Sequence, residues 1–210
     1  MRALPWYIAR SAGLVAWSLL TASVIWGLTM STRSRPFGHR PRPAWMLDLH
    51  RWLGGLATIF VGVHVVAILA DSYVHFSLLS ALVPFVSSWR PAAVAWGVVG
   101  LYLLLAVELT SLARRRLSKR VWRAVHFASF PLFLTATVHA LTAGTDAGSW
   151  LFVTAATTSV LAVAALTAKR IAEATRQPQP DAGGARARVA TARSSVGATT
   201  GLPPRVPTRV

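Results

Sequence analysis

The chain of 210 residues contains no cysteine. That absence excludes disulfides, thiolate-ligated iron–sulfur clusters and haem attached covalently through C-x-x-C-H. Charge is also scarce. Charged side chains make up 13% of the chain, and a soluble domain of this length would carry about twice as many. Acidic residues are the rarest part: 6 Asp and Glu stand against 22 Lys and Arg, a net charge of +16.

What fills the chain instead is apolar, 54% of it. Runs without a charge cover Ser11–Thr32, Trp52–Ala70, Pro91–Val107, Ala124–Thr145 and Ala147–Ala168. Roughly 18 or more uncharged apolar residues mark a membrane helix. The expected fold is therefore an all-α, polytopic membrane helix bundle. Its five spans centre near Leu20, Val61, Gly100, Pro131 and Ser159. The stretch FSLLSALVPFVSSW, Phe76–Trp89, is apolar but short and contains Pro84. It is expected to lie at the surface or re-enter, not to make a sixth span.

A charge of +16 suits a nucleic-acid binder, but its distribution argues against that. Arg33, Arg35, Arg40 and Arg42 lie between spans one and two. Arg114, Arg115, Arg116, Lys119, Arg120 and Arg123 lie between spans three and four, and eight more cations follow span five. The opposite side holds only Arg2, Arg10 and Arg90, with Asp71 and Asp146. The positive-inside rule then places the N-terminus outside and the C-terminus in the cytosol of a multi-pass cell-membrane protein. The first apolar run is expected to be retained: it is too long for a secretory leader and no A-x-A site follows it. The domain is expected to span residues 1–172. Residues 173–210, rich in Pro, Ala, Arg, Thr and Gly without a hydrophobic period, are expected to be a disordered, basic cytosolic tail. The tail could rest on anionic lipid headgroups.

Of the 6 histidines, four sit on spans two and four. His50 and His126 are near the cytosolic ends of their helices, His64 and His139 near the outer ends. Fourteen residues separate His50 from His64, about 21 Å along a helix and roughly 40° short of four turns, so the two share a face. Thirteen residues separate His126 from His139, about 19.5 Å but some 140° out of line in a straight helix. A kink or bulge near Pro131 is therefore required to turn His139 back toward span two.

Two imidazoles facing each other across a bundle, at two heights, match non-covalent haem b, whose iron takes one imidazole on each face. His50, His64, His126 and His139 are the expected iron ligands of two haems. Gly54, Gly55 and Gly62 are expected to leave room for porphyrin. Arg51 and Arg123 are placed to meet the propionates. His39 and His75 read as surface residues, with an outer-acceptor role as the alternative for His75. Asp71 reads as a solvated helix end, or alternatively as orienting a donor or acceptor. Glu108 reads as snorkelling toward the neighbouring arginines, or alternatively as handling a proton or a quinone headgroup. Trp6, Trp45, Trp89 and Trp150 fall near span ends, as an interfacial belt does.

HRWLGGLATIFVGVH and RRRLSKRVWRAVHFASFPLFLTATVH together resemble the ferric reductase-like transmembrane family. That family includes the membrane domains of ferric reductases and NADPH oxidases, and the haem subunit that feeds a periplasmic methionine sulfoxide reductase. The H-x13-H and H-x12-H pairs agree with its arrangement, and the basic entry into the second haem helix is similar to the sulfoxide-reductase partner. The resemblance covers roughly residues 10–170. It implies that His50 pairs with His126 at an inner haem and His64 with His139 at an outer one. The larger members have about six spans and a cytosolic flavin and nicotinamide module; here the tail carries no Gly-rich nucleotide fingerprint.

The expected function is a membrane b-type diheme cytochrome, an oxidoreductase component that needs a separate donor. A cytosolic flavin reductase or a quinol would supply electrons. Ferric iron, oxygen or a periplasmic or extracellular redox protein would take them. Two alternatives stand beside it: a haem-bearing anchor of a quinone-linked dehydrogenase, and a haem-free transporter or scaffold that uses its histidines for protons or metal.

Overall fold

The computed structural model describes residues 4–32, 44–71, 76–144 and 148–175. In chain order these form α1 (Leu4–Ser31), α2 (Ala44–Leu69), the short α3 (Leu78–Leu82), α4 (Pro91–Leu112), a 3₁₀ turn (Ala113–Arg116), α5 (Lys119–His126), α6 (Ser129–Ala143) and α7 (Trp150–Thr175). No strand occurs among the described residues. Five segments are long and apolar enough to cross a bilayer: Leu4–Ser31, Ala44–Leu69, Pro91–Arg116, Lys119–Ala143 and Trp150–Thr175. The protein is an all-α, multi-pass membrane bundle, as the apolar runs predict.

The chain divides into a unit Met1–Ile171, which holds the helices around the histidines, and a second unit Ala172–Val210. In the second unit the last turn of α7 is described, to Thr175. The rest of the expected tail, the Arg33–Arg42 loop, His39 and His75 lie outside the described residues.

Phe76–Trp89 does not span. Its helix, α3, has 5 residues. Ser77 Oγ accepts the Ser80 N–H at 3.1 Å and caps it. Phe85 (φ 68°) and Arg90 (φ 41°) then take left-handed conformations that turn the chain into α4. Pro91 occupies the first turn of α4, where its missing N–H leaves no bond unmade. Tyr102 Oη donates to the Leu82 carbonyl and ties α3 to α4.

Span four is two helices, not one kinked helix. Ser118 Oγ accepts the Val121 N–H and starts α5. α5 ends at His126, and Phe127–Ala128 form a turn before α6. The cause is Pro131. Its ring excludes the carbonyl four residues earlier, and its nitrogen has no hydrogen to offer. That carbonyl belongs to Phe127, which accepts instead from Phe130 N at 3.2 Å. Ala128 N likewise reaches back three residues, to Val125 O, at 2.9 Å. Residues wound at 3.0 per turn advance about 20° further each than residues wound at 3.6. The tightened stretch thus supplies rotation that a straight helix would lack.

α1 is the central helix: it packs along α2 and touches α6, while α4 packs along α6. Val24 and Leu28 of α1 meet Phe133 of α6 and Val163 of α7 in one buried cluster. Trp17 of α1 meets Phe152 and Ala156 of α7 in another. Trp17 Nε1 donates to Thr137 Oγ1 at 3.1 Å, a buried bond joining α1 to α6. The faces turned away from this core are apolar too. Trp52, Ile59 and Val66, seven residues apart on α2, are 68%, 61% and 66% exposed. In water that stripe would be a liability; in hydrocarbon it is the expected lipid-facing surface.

Candidate functional site: two histidine pairs between helices

On α2 the stripe opposite the lipid is His50, Ala57 and His64, again seven apart, with Ala57 only 1% exposed. Seven residues fall about 20° short of two turns, which keeps all three on one face. A small residue midway leaves the interior between the two histidine heights unfilled by α2.

Each α2 histidine meets a histidine of the broken span. The rings of His50 and His126 have centroids 6.0 Å apart at 76°. Those of His64 and His139 are 6.2 Å apart at 82°. The break between α5 and α6 therefore achieves what the uneven spacing demands, bringing both histidines of span four to face α2. Two imidazoles bound through one nitrogen each to a shared metal, at about 2 Å per bond, have centroids roughly 6 Å apart. Both pairs have that separation.

Three of the four rings are held by the same local device. His64 Nδ1 lies 2.6 Å from the Ala9 carbonyl, and His139 Nδ1 lies 2.8 Å from the Ala93 carbonyl. His50 Nδ1 lies 3.2 Å from Ser23 Oγ. A carbonyl can only accept, so at His64 and His139 the ring N–H donates and Nε2 is left available to a metal, the usual arrangement behind a histidine ligand; the Ser23 hydroxyl holds the ring of His50 as donor or acceptor according to the tautomer. One turn beyond each acceptor stands a glycine. A Cβ on Gly13 would come within 2.8 Å of His64 Nδ1, on Gly27 within 3.2 Å of His50 Cε1, and on Gly97 within 2.7 Å of His139 Cε1. The acceptor and glycine thus recur as Ala9/Gly13, Ser23/Gly27 and Ala93/Gly97. On α1 they repeat after the same fourteen residues that separate His50 from His64, as antiparallel packing of α1 on α2 requires.

Gly54, Gly55 and Gly62, the glycines expected to leave room for porphyrin, border open or loosely packed space on α2. Gly55 and Gly62 have nothing within 4 Å, and a Cβ on Gly54 would meet Glu108 Oε2 at 3.5 Å. The glycines under the rings are on the neighbouring helices. The missed signal was the gap of fourteen between Gly13 and Gly27.

His126 is held differently. It stacks on Trp122, centroids 5.0 Å apart at 21°, and the Arg114 guanidinium covers Trp122 at 4.6 Å. Its Nδ1 is buried without a partner, as is Trp122 Nε1.

The cationic candidates lie at the level of His50 and His126. Arg51 is exposed and pairs with Asp48 Oδ1 at 3.3 Å. Arg123 is exposed on α5, one turn before His126. Two acidic residues depart from their favoured readings. Asp71 is buried, not solvated, and with His64, His139, Gly13 and Gly97 it lines a cavity of about 300 Å³. Glu108 turns toward Gly54 on α2, not out to the arginines beyond α4.

No group of three or more His, Cys, Asp or Glu gathers as a metal cage among the described residues. The protein supplies its imidazoles in twos, the number that completes iron in a porphyrin. The pair separations, the engaged Nδ1 atoms and the glycine clearances all fit that group.

The geometry has a counterpart among known families. Residues 12–137, which include His50, His64 and His126, match the model of the ferric reductase like transmembrane component. Among curated proteins and solved structures, nothing matches.

Proposed function

This chain belongs to the ferric reductase-like transmembrane family, and we propose that within it the protein is a b-type diheme cytochrome carrying electrons across the bilayer. The family makes it a membrane electron-transfer component, and family members are generally haem-binding. The observation that carries the finer reading is the double pairing: His50 with His126 at 6.0 Å and His64 with His139 at 6.2 Å.

Haem b supplies a one-electron carrier at each level when bound. The chain's own residues do the rest. The four histidines would hold the two haems, His50 with His126 and His64 with His139, an arrangement suited to electron transfer. Ala9, Ser23 and Ala93 fix three ring orientations. The apolar helices exclude water and lower the dielectric around both levels, which tunes the potentials. Arg51 and Arg123 flank the inner level, where they would meet propionates. About 21 Å of α2 separates the levels, so two carriers bridge most of the roughly 30 Å hydrocarbon core.

In the orientation set by the basic loops, electrons enter at His50 and His126 from a cytosolic flavin reductase or a membrane quinol. They leave from His64 and His139 to ferric iron, oxygen or an external redox protein. The cavity beside the outer pair, with Asp71 and Arg10 in its lining, is the natural point of exit. The test is vectorial transfer in sealed liposomes, with reduced flavin enclosed and a ferric chelate outside. Protein-dependent reduction of the chelate is expected, and its loss in His64→Ala; equal rates in protein-free liposomes would refute the proposal.

A further inference from the structure

The four histidines are not equivalent, and we propose that His126 is the releasable one, so that the inner level accepts a small uncharged ligand of ferrous haem while the outer level does not. The inference rests on the diheme reading above.

His50, His64 and His139 each have an oxygen at Nδ1 and a glycine pressed against the ring. The carbonyl acceptors of His64 and His139 fix tautomer and ring direction and raise the basicity of the other nitrogen, and Ser23 Oγ holds the ring of His50. Loss of such a partner weakens metal binding about 10–100-fold. His126 has neither feature. Its Nδ1 is buried and unpartnered, and none of the described glycines meets its ring.

Its anchorage differs as well. His50 and His64 share a helix of 26 residues, whereas His126 is the last residue of an 8-residue helix that ends at a turn. Its stacking partner Trp122 is one turn earlier in that same short helix. Ring and support therefore move together, and the stack fixes the ring plane without giving Nδ1 an acceptor.

Exchange at this position involves no change of oxidation state. The bond from His126 to iron breaks, a bond from iron to the incoming ligand forms, and His126 leaves as neutral imidazole. Carbon monoxide is the probe, because it binds ferrous haem and carries no charge to be repelled or attracted.

The experiment uses the full chain in detergent with haem counted per chain, reduced with dithionite and titrated with carbon monoxide. Saturation at one haem in two is expected, and in His64→Ala, which keeps only the inner level, saturation of all the remaining haem. A protein with two haems and no carbon monoxide spectrum overturns the inference and leaves the diheme reading standing. So does binding at both haems, or a signal lost in His64→Ala. A colourless preparation overturns the diheme reading and this inference with it.

Discussion

Gly13 lies directly beneath the ring of His64, so close that a Cβ there would stand 2.8 Å from Nδ1. Real side chains do not make that contact, so Gly13→Val must push α1 away or swing the ring off the Ala9 carbonyl. Overpacking of this kind costs about 1–3 kcal/mol. The expected result is loss of the outer haem with the inner one retained, read as a fall from two toward one haem per chain. Gly148→Ala, where nothing lies within 4 Å, should leave the count unchanged.

The two levels are separable by mutation. His64→Ala and His139→Ala should each remove the outer haem and leave the inner one largely intact, with a shift in the midpoint potentials from two components to one. If either change strips both haems, the levels are not independent and the assignment of pairs is wrong.

Pro131→Ala restores a backbone N–H that can bond the Phe127 carbonyl, which now accepts from Phe130. The break between α5 and α6 should then heal toward continuous helix. Thirteen residues of straight helix leave His126 and His139 about 140° apart, so one pair must open. Haem content should drop to one per chain or below; two haems at unchanged potentials would show that the break does not depend on the proline.

Thr137→Val leaves Trp17 Nε1 buried without its acceptor. An orphaned buried donor costs about 1–3 kcal/mol. Thermal unfolding in detergent should shift down by several degrees, while the visible spectrum of the folded protein stays the same.

The histidine stripe was legible in the sequence because fourteen residues nearly close four turns. The thirteen-residue gap showed that the winding of span four had to change, and the structure places that change at Phe127–Ala128. The break precedes Pro131 because a proline displaces the carbonyl four positions before it. The five spans were legible from length and charge alone. The glycines under the rings, Gly13, Gly27 and Gly97, were not read from the sequence. Which residue lies under a ring depends on the register of α1 against α2 and of α4 against α6; the gap of fourteen between Gly13 and Gly27 matches the histidine spacing but does not by itself contain that register. Asp71 departs from its reading on the same ground: burial of a helix-end carboxylate is decided by what it faces. The unpartnered Nδ1 of His126 had no sequence signal at all, since it depends on what the surrounding helices place beside it.

The absence of cysteine gives a clean test of orientation. Arg115→Cys, in the basic turn after α4, should react with a membrane-impermeant maleimide only from the cytosolic side. Gly148→Cys, before α7, should react only from outside. The reverse pattern would invert the direction of electron flow.

The most direct test is a reduced-minus-oxidised spectrum of the purified protein with haem quantified per chain. Two b-type haems are expected, with both irons six-coordinate in the oxidised state. A colourless protein from cells with ample porphyrin supply would contradict the account.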